Sequence, residues 1–337
     1  MAVASILDER PELTELHSHV GGAVDAAIMW SIAHQQGIRL PTKDYWEFVD
    51  LISVSHPDKV NNLAEYDLIF RWTELIQSSP LAIERSVYEI IGGAYRKSNV
   101  TTLELRFNPM KRNREGEQDV DHIIAAAIRG LDRALLEYPK IRAGLIVMMD
   151  RTFPLDLNGI IVEKALRFRD RGVIGVDIAG PPNPAFSYRE HQGLVERARD
   201  AGLGITIHTG EEGKIADMWE VVEHLRPDRI GHGILAAYDP RLMAAVAERG
   251  IVLEVCPTSN LRTRAVRDVE ELRHILATLT SSGVAVTINT DGPQMLQTNV
   301  VKEYRMLLEH GIFTDADVRA SIAASHAASF LTRGVRG

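Results

Sequence analysis

The sequence predicts an α/β fold, specifically a closed (β/α)8 TIM barrel with a helical insertion after its first strand. Three observations lead there. Eight short, apolar, β-branched runs recur along the chain, and amphipathic stretches of helical period lie between them. The length, 337 residues, exceeds the usual domain of about 100–200 residues but suits one barrel. Alternating strands and helices argue for a parallel sheet. Eight such units fit a closed barrel better than an open sheet. We therefore expect one barrel domain over residues 1–337, with the helical insertion inside it.

In chain order the strand candidates are LTELH (13–17), TTLELRF (101–107), RAGLIVMM (142–149), GVIGVDIA (172–179), GITIH (204–208), RIGH (229–232), IVLEVC (251–256) and VAVTINT (284–290). DVDHIIAAAIRGLDRALLEY (119–138) and DVEELRHILATLTSSG (268–283) show the helical spacing expected between strands. The stretch between the first two strands is about double what one crossover helix needs. Residues 23–98 read as mostly helical, with breaks expected near Pro41, Pro57 and Pro80. An insertion after strand one lies over the end of the barrel where active sites form, so it is expected to act as a lid. A separate small domain is the alternative.

Composition narrows the partners. With 45% hydrophobic and 25% charged residues, the chain is an ordinary globular one. A net charge of -8 gives no basic footprint for nucleic acid, so a small-molecule partner is expected. The single cysteine, Cys256, rules out a disulfide within the chain and suits a reducing compartment. No apolar run approaches the roughly 18 residues of a membrane helix. MAVASILDERPEL lacks the pattern of a signal peptide. A cytoplasmic protein that binds no membrane is the expectation; oligomeric state is left open.

Four of the twelve histidines end strand candidates: His17 and His19 the first, His208 the fifth, His232 the sixth. Asp291 ends the eighth. Catalytic residues of barrel enzymes sit at these C-terminal strand ends. Residues i and i+2 of a strand point the same way, so His17 and His19 can both grip one ion. A third histidine and a carboxylate complete a site that suits Zn²⁺ with a place left for water. Alone, each element is weak: H-x-H is common, and a strand-end aspartate often caps the next helix. The joint arrangement is specific. The other histidines, at 34, 56, 122, 191, 224, 274, 310 and 326, fall mainly in helical or loop patterns and read as structural.

ELHSH (15–19), DIAG (177–180), HTGEE (208–212), RIGHG (229–233), EVCPTSN (254–260) and NTDGP (289–293), in that order, resemble the adenosine deaminase family of the amidohydrolase superfamily over nearly the whole chain. The resemblance implies a zinc-dependent aminohydrolase that replaces the amine of a purine nucleoside with oxygen and releases ammonia. It implies that His17, His19, His208 and Asp291 hold one Zn²⁺, with Fe²⁺ or Mn²⁺ as alternatives. It implies that Glu211 protonates the ring at N1, that His232 orients and stabilises the attacking water, and that Asp291 also takes a proton from it. Gly180 would offer its backbone N–H to N3. Ser259 and Asn260 would shape the metal surroundings.

Two positions depart from the family pattern. The family usually carries an aspartate where Gly21 stands, which binds the 5′-hydroxyl of the ribose. It usually carries a second aspartate where Gly292 stands, which contacts N7. Two glycines are expected to open space. H-V-G at 19–21 resembles the aminodeoxyfutalosine deaminase branch, which serves menaquinone biosynthesis. That likeness implies an adenine nucleoside modified at C5′ with a carboxylated extension, for which Arg71 is a candidate partner, a solvated arginine on a helix face being the reading the residue alone favours. The other readings are an adenosine or adenine deaminase, a deaminase of another aminated heterocycle, and a family member that keeps the metal but not the activity.

Overall fold

The computed structural model describes residues 6–54, 56, 58–113 and 119–332. Eight parallel strands follow one another round the sheet in chain order: β1 (Leu13–His19), β2 (Val100–Phe107), β3 (Arg142–Asp150), β4 (Val173–Ala179), β5 (Gly204–Thr209), β6 (Arg229–His232), β7 (Val252–Val255) and β8 (Val286–Ile288). The ring closes between β8 and β1. Asp291 N–H donates to His17 O at 2.8 Å and His19 N–H to Asp291 O at 2.7 Å, and Ser18 bridges Asp291 in parallel. β8 is shorter than the run VAVTINT suggested. Past Ile288 a side chain takes over the seam, with Leu16 N–H donating to Asn289 Oδ1 at 3.1 Å. This is the expected (β/α)8 barrel.

The period of two explains how these strands serve a polar interior. In β2, Leu103, Leu105 and Phe107 are buried apolar residues, while Thr102, Glu104 and Arg106 alternate with them and are buried too. Glu104, Arg106, Asp177, Thr206, Glu254 and Thr287 are all fully buried polar strand residues. Such residues survive burial only when paired, and the pairs they make build the site.

After β1 come α1 (Val20–Ala23), α2 (Ala26–Gln35), α3 (Tyr45–Leu51), α4 (Leu63–Ile76) and α5 (Pro80–Ser98). The rest of the outer ring and its connections are α6 (Val120–Glu137), α7 (Leu155–Phe168), α8 (Gln192–Asp200), α9 (Ile215–Glu220), α10 (Pro240–Glu248), α11 (Pro257–Arg262), α12 (Val269–Ser281), α13 (Val300–Glu309) and α14 (Asp315–Ala328). None of the described helices is long and apolar enough to cross a membrane. Helical breaks fall at Pro41 and Pro80 as expected; the one expected at Pro57 lies outside the described residues.

Within residues 23–98, α5 is set apart from the helices before it by what it packs on. Ser79 caps α5 by accepting from Ala82 N–H at 3.1 Å, Pro80 starts it, and Asn99 ends it in the left-handed region. α5 packs on β2 and α6, so it is the outer-ring helix of the first unit. The helices α2–α4 precede it between β1 and the outer ring.

α4 has its own small core. Leu63, Tyr66, Ile69 and Phe70 recur at helical spacing and pack with Val54, Val60, Met295 and Leu296. Val54 N–H donates to Met295 O at 2.7 Å, and Gln294 and Met295 N–H both donate to Gly22 O. The chain after β8 is thereby fastened to α4 across the mouth of the barrel.

Candidate active site

At the C-terminal end of the strands lies a cavity of about 410 Å³. His19, His208, Glu211, His232, Asp291 and Gly180 all line it. His17 lies beneath, fully buried. The residues singled out in the sequence are therefore brought together.

His17 and His19, two apart on β1, both turn toward Asp291: its Oδ1 is 3.9 Å from His17 Nε2 and 3.3 Å from His19 Nε2. His19 Nε2 is 3.2 Å from His208 Nε2. Ligand atoms of His17, His19 and Asp291 lie within 4.8 Å of one another, and so do those of His17, His208 and His232. His17 Nε2 is a buried ring nitrogen without a hydrogen-bond partner. A buried polar atom left so is costly, and a cation among these atoms resolves it.

The far sides of two of these rings, His17 and His208, are held by carboxylates. Glu254 Oε2 lies 2.9 Å from His17 Nδ1, and Asp177 Oδ2 lies 2.9 Å from His208 Nδ1. Such carboxylate–histidine pairs orient metal-binding imidazoles. Arg106 joins the two carboxylates, Nη1 to Asp177 Oδ2 at 2.9 Å and Nη2 to Glu254 Oε2 at 2.8 Å. Burial works against the charge on Arg106, but Glu254 and Asp177 outweigh it and hold the guanidinium above its usual range. Burial likewise raises the Glu254 carboxyl, yet Arg106 and Arg229 outweigh it and bring it down to about 2. Burial holds His17, His19, His208 and His232 well below the ordinary imidazole range, leaving them neutral with lone pairs to give. The donor set, three neutral imidazoles and a carboxylate, fits Zn²⁺.

Asp291 sits at φ +62°, a left-handed conformation uncommon outside glycine. Its two oxygens divide their work. Oδ1 faces the histidines, while Oδ2 accepts from Ser259 Oγ at 2.6 Å and from Tyr66 Oη at 3.4 Å. Burial pushes its carboxyl up to about 6. His232 is also left-handed, at φ +61°. Its Nδ1 is 2.9 Å from the Asn260 amide, and its Nε2 is 3.5 Å from Glu211 Oε2. Burial first, then Asp291 and Asp67, holds the Glu211 carboxyl well above the usual carboxylate range. Gly180 lies at φ +89°, with the Asp150 carboxylate where a Cβ would point, and its carbonyl accepts from Arg151 Nε at 2.8 Å.

The two departures from the family pattern do not leave space. A Cβ on Gly21 would stand 2.8 Å from the Phe70 ring and 3.2 Å from Arg112 Nη2. A Cβ on Gly292 would stand 2.7 Å from Tyr66 Oη. Tyr66 and Phe70 belong to α4, so the insertion fills both places. Arg112 pairs with Glu74 at 3.1 Å. Arg71 stands exposed in the cavity wall. Asp67 also lines the cavity; its Oδ2 is buried and has no hydrogen-bond partner, and burial pushes its carboxyl up to about 7.

Sequence reasoning left Arg106 and Tyr66 without a role. Arg106 had a signal, an arginine inside an apolar strand run. Tyr66 had none, since an aromatic residue on an amphipathic helix reads as packing.

Comparison with known proteins adds an independent line. The family model described as adenosine deaminase matches residues 12–336. An adenosine deaminase from Shewanella denitrificans is 30% identical over 315 residues, covering 93% of this chain and 92% of the relative. Two solved structures share the fold. One is a zinc-bound amidohydrolase from Burkholderia ambifaria, with a TM-score of 0.86 at 24% identity, covering 99% of this chain and 90% of that one. The other is an adenine deaminase from Arthrobacter aurescens, with a TM-score of 0.84 at 21% identity, covering 97% of this chain and all of that one (100%).

Proposed function

Since this chain belongs to the adenosine deaminase family of metal-dependent hydrolytic deaminases, we propose that it removes the 6-amino group from an adenine ring, with His17, His19, His208 and Asp291 holding one Zn²⁺. The observation that carries this reading is the buried, unpartnered His17 Nε2, ringed by other ligand atoms and set by Glu254 from behind. When bound, the ion supplies a Lewis acid that makes water a nucleophile at neutral pH.

The chain's own residues do the rest. His232 orients the water that attacks C6, and Asp291 takes a proton from it. Attack builds electron density at N1. Glu211, protonated because its carboxyl is held high, donates its proton there, a contribution of typically about 10²–10⁴-fold. The amine leaves as ammonia and the ring keeps oxygen at C6. The Gly180 N–H meets N3. We read α2–α4 as a lid that walls the ring from bulk water.

For the substrate we favour an adenine nucleoside modified at C5′. Gly21 offers no carboxylate for a 5′-hydroxyl, and the Phe70 ring covers that place. Arg71, in the cavity wall, suits an anionic extension. The adenosine deaminase from Shewanella denitrificans favours a second reading, adenosine itself, with Asp67 Oδ2 accepting from a sugar hydroxyl. Ammonia release from adenosine, adenine, 5′-methylthioadenosine and aminodeoxyfutalosine, measured side by side on zinc-loaded protein, separates the two. Turnover of only the 5′-modified nucleosides supports the first reading, and turnover of adenosine at the highest kcat/KM overturns it.

A further inference from the structure

We propose that the Tyr66 hydroxyl is the group that recognises N7 of the purine, taking the place that an aspartate at residue 292 holds in the wider family. This rests on reading the site as an adenine-ring deaminase. Tyr66 Oη is the nearest atom, at 2.7 Å, to a Cβ placed on Gly292, so it occupies the volume a side chain there would fill. On the other side a Cβ on Gly22 would stand 2.6 Å from the Gly292 Cα, so the two backbones are in contact there, and the Met295 Cβ lies farther off at 3.6 Å from the Gly292 Cβ position. The space is reached from α4.

Tyr66 is firmly placed. It is 2% exposed, packs edge to face on Phe70 with ring centroids 5.4 Å apart, and belongs to the small core that fastens α4 to the chain after β8. Tyr66 lines the same cavity as Glu211, His232 and Asp291. The contact with Asp291 Oδ2, at 3.4 Å, is long for an O–H donor. Ser259 already serves that oxygen at 2.6 Å. Giving up that long contact lets the phenolic proton turn toward a ring seated in the cavity.

The chemistry favours this exchange of residues. N7 carries a lone pair and can only accept, so its partner must donate. A carboxyl group donates only while it holds a proton, whereas a phenol is a donor throughout the neutral range. The donor comes from the lid, so ring recognition depends on α4 being seated. That dependence is absent when the donor follows β8 directly.

The test compares adenosine-type substrates with their 7-deaza counterparts, in which C–H replaces N7. Wild type is expected to prefer the N7 compound by about 10- to 100-fold in kcat/KM. Tyr66→Phe is expected to lose that factor on the N7 compound alone, so that the ratio falls to near one, with zinc content and Tm unchanged. An equal loss on both compounds, or no loss, overturns the assignment. Calorimetric binding of inosine and 7-deazainosine gives a readout that needs no turnover. A Tyr66-dependent preference for inosine in a protein that deaminates no adenine ring leaves the assignment standing and removes only the deaminase reading. Turnover with no such preference removes only the Tyr66 assignment.

Discussion

His17 Nδ1 lies 2.9 Å from Glu254 Oε2, and this contact decides which way the His17 ring presents its other nitrogen. The same Glu254 oxygen accepts from Arg106 Nη2 at 2.8 Å, and its partner Oε1 accepts from Thr206 Oγ1 at 3.0 Å. A carboxylate so held cannot turn away, so the direction of the unpartnered His17 Nε2 is preset.

Replacing Glu254 by Gln removes the charge and leaves Arg106 and Arg229 facing a neutral amide. We expect zinc affinity to fall by about 10–100-fold, read by competition with a chelator. Wild-type affinity in Glu254→Gln contradicts the orienting role.

Glu211 is expected to act as an acid. Glu211→Gln should bind zinc at wild-type stoichiometry and lose at least about 10²-fold in kcat. The pH profile carries the sign. Because burial holds the Glu211 carboxyl above its usual range, its protonated form persists at neutral pH, and kcat/KM should decline as pH rises through that raised value. A rate that climbs on the alkaline side assigns Glu211 the opposite role.

Gly21 and Gly292 show where legibility in the sequence ended. The histidine pair on β1, its partners on β5 and β6, and Asp291 were readable because strand alternation and strand ends are written locally. The two glycines were read as missing carboxylates and as open space, and the second reading failed. Their places are filled by Phe70 and Tyr66, which arrive from a helix whose position over the mouth depends on a second core with Met295 and Leu296. No local spacing encodes that approach. The short β8 escaped for a similar reason, since the Asn289 side chain takes over a ladder contact that the run VAVTINT assigned to backbone. α5 was counted with the insertion because helical periodicity does not say what a helix packs on.

Restoring the family's aspartate at residue 21 should therefore cost stability. In Gly21→Asp the new side chain meets Phe70 and Arg112, and overpacking of this kind costs about 1–3 kcal/mol. Tm should fall, and adding Phe70→Ala should recover part of the loss. A Gly21→Asp protein as stable as wild type contradicts the packing described.

Glu303 gives a stability test outside the histidine cluster. It is fully buried, accepts from Thr258 N–H at 3.0 Å and from Thr298 Oγ1. Burial pushes its carboxyl from 4.5 to about 7, against the lowering effect of those bonds. A value raised on folding gives stability that is complete below 4.5 and is lost as pH rises through 7. Wild type should thus lose up to about 3 kcal/mol relative to Glu303→Gln between pH 4.5 and 7, read from denaturant midpoints at matched zinc content. A difference that does not change with pH shows that folding does not raise the Glu303 carboxyl.

The most direct test follows the adenine ring and the metal together. Protein stripped by a chelator is reloaded with increasing zinc, and ammonia release from an adenine nucleoside is recorded with the ultraviolet change of the ring. The account predicts no turnover in the stripped protein and a rise that saturates at one zinc per chain, with one ammonia for each ring converted. Turnover indifferent to zinc, or a zinc-saturated protein that converts no adenine compound, contradicts it.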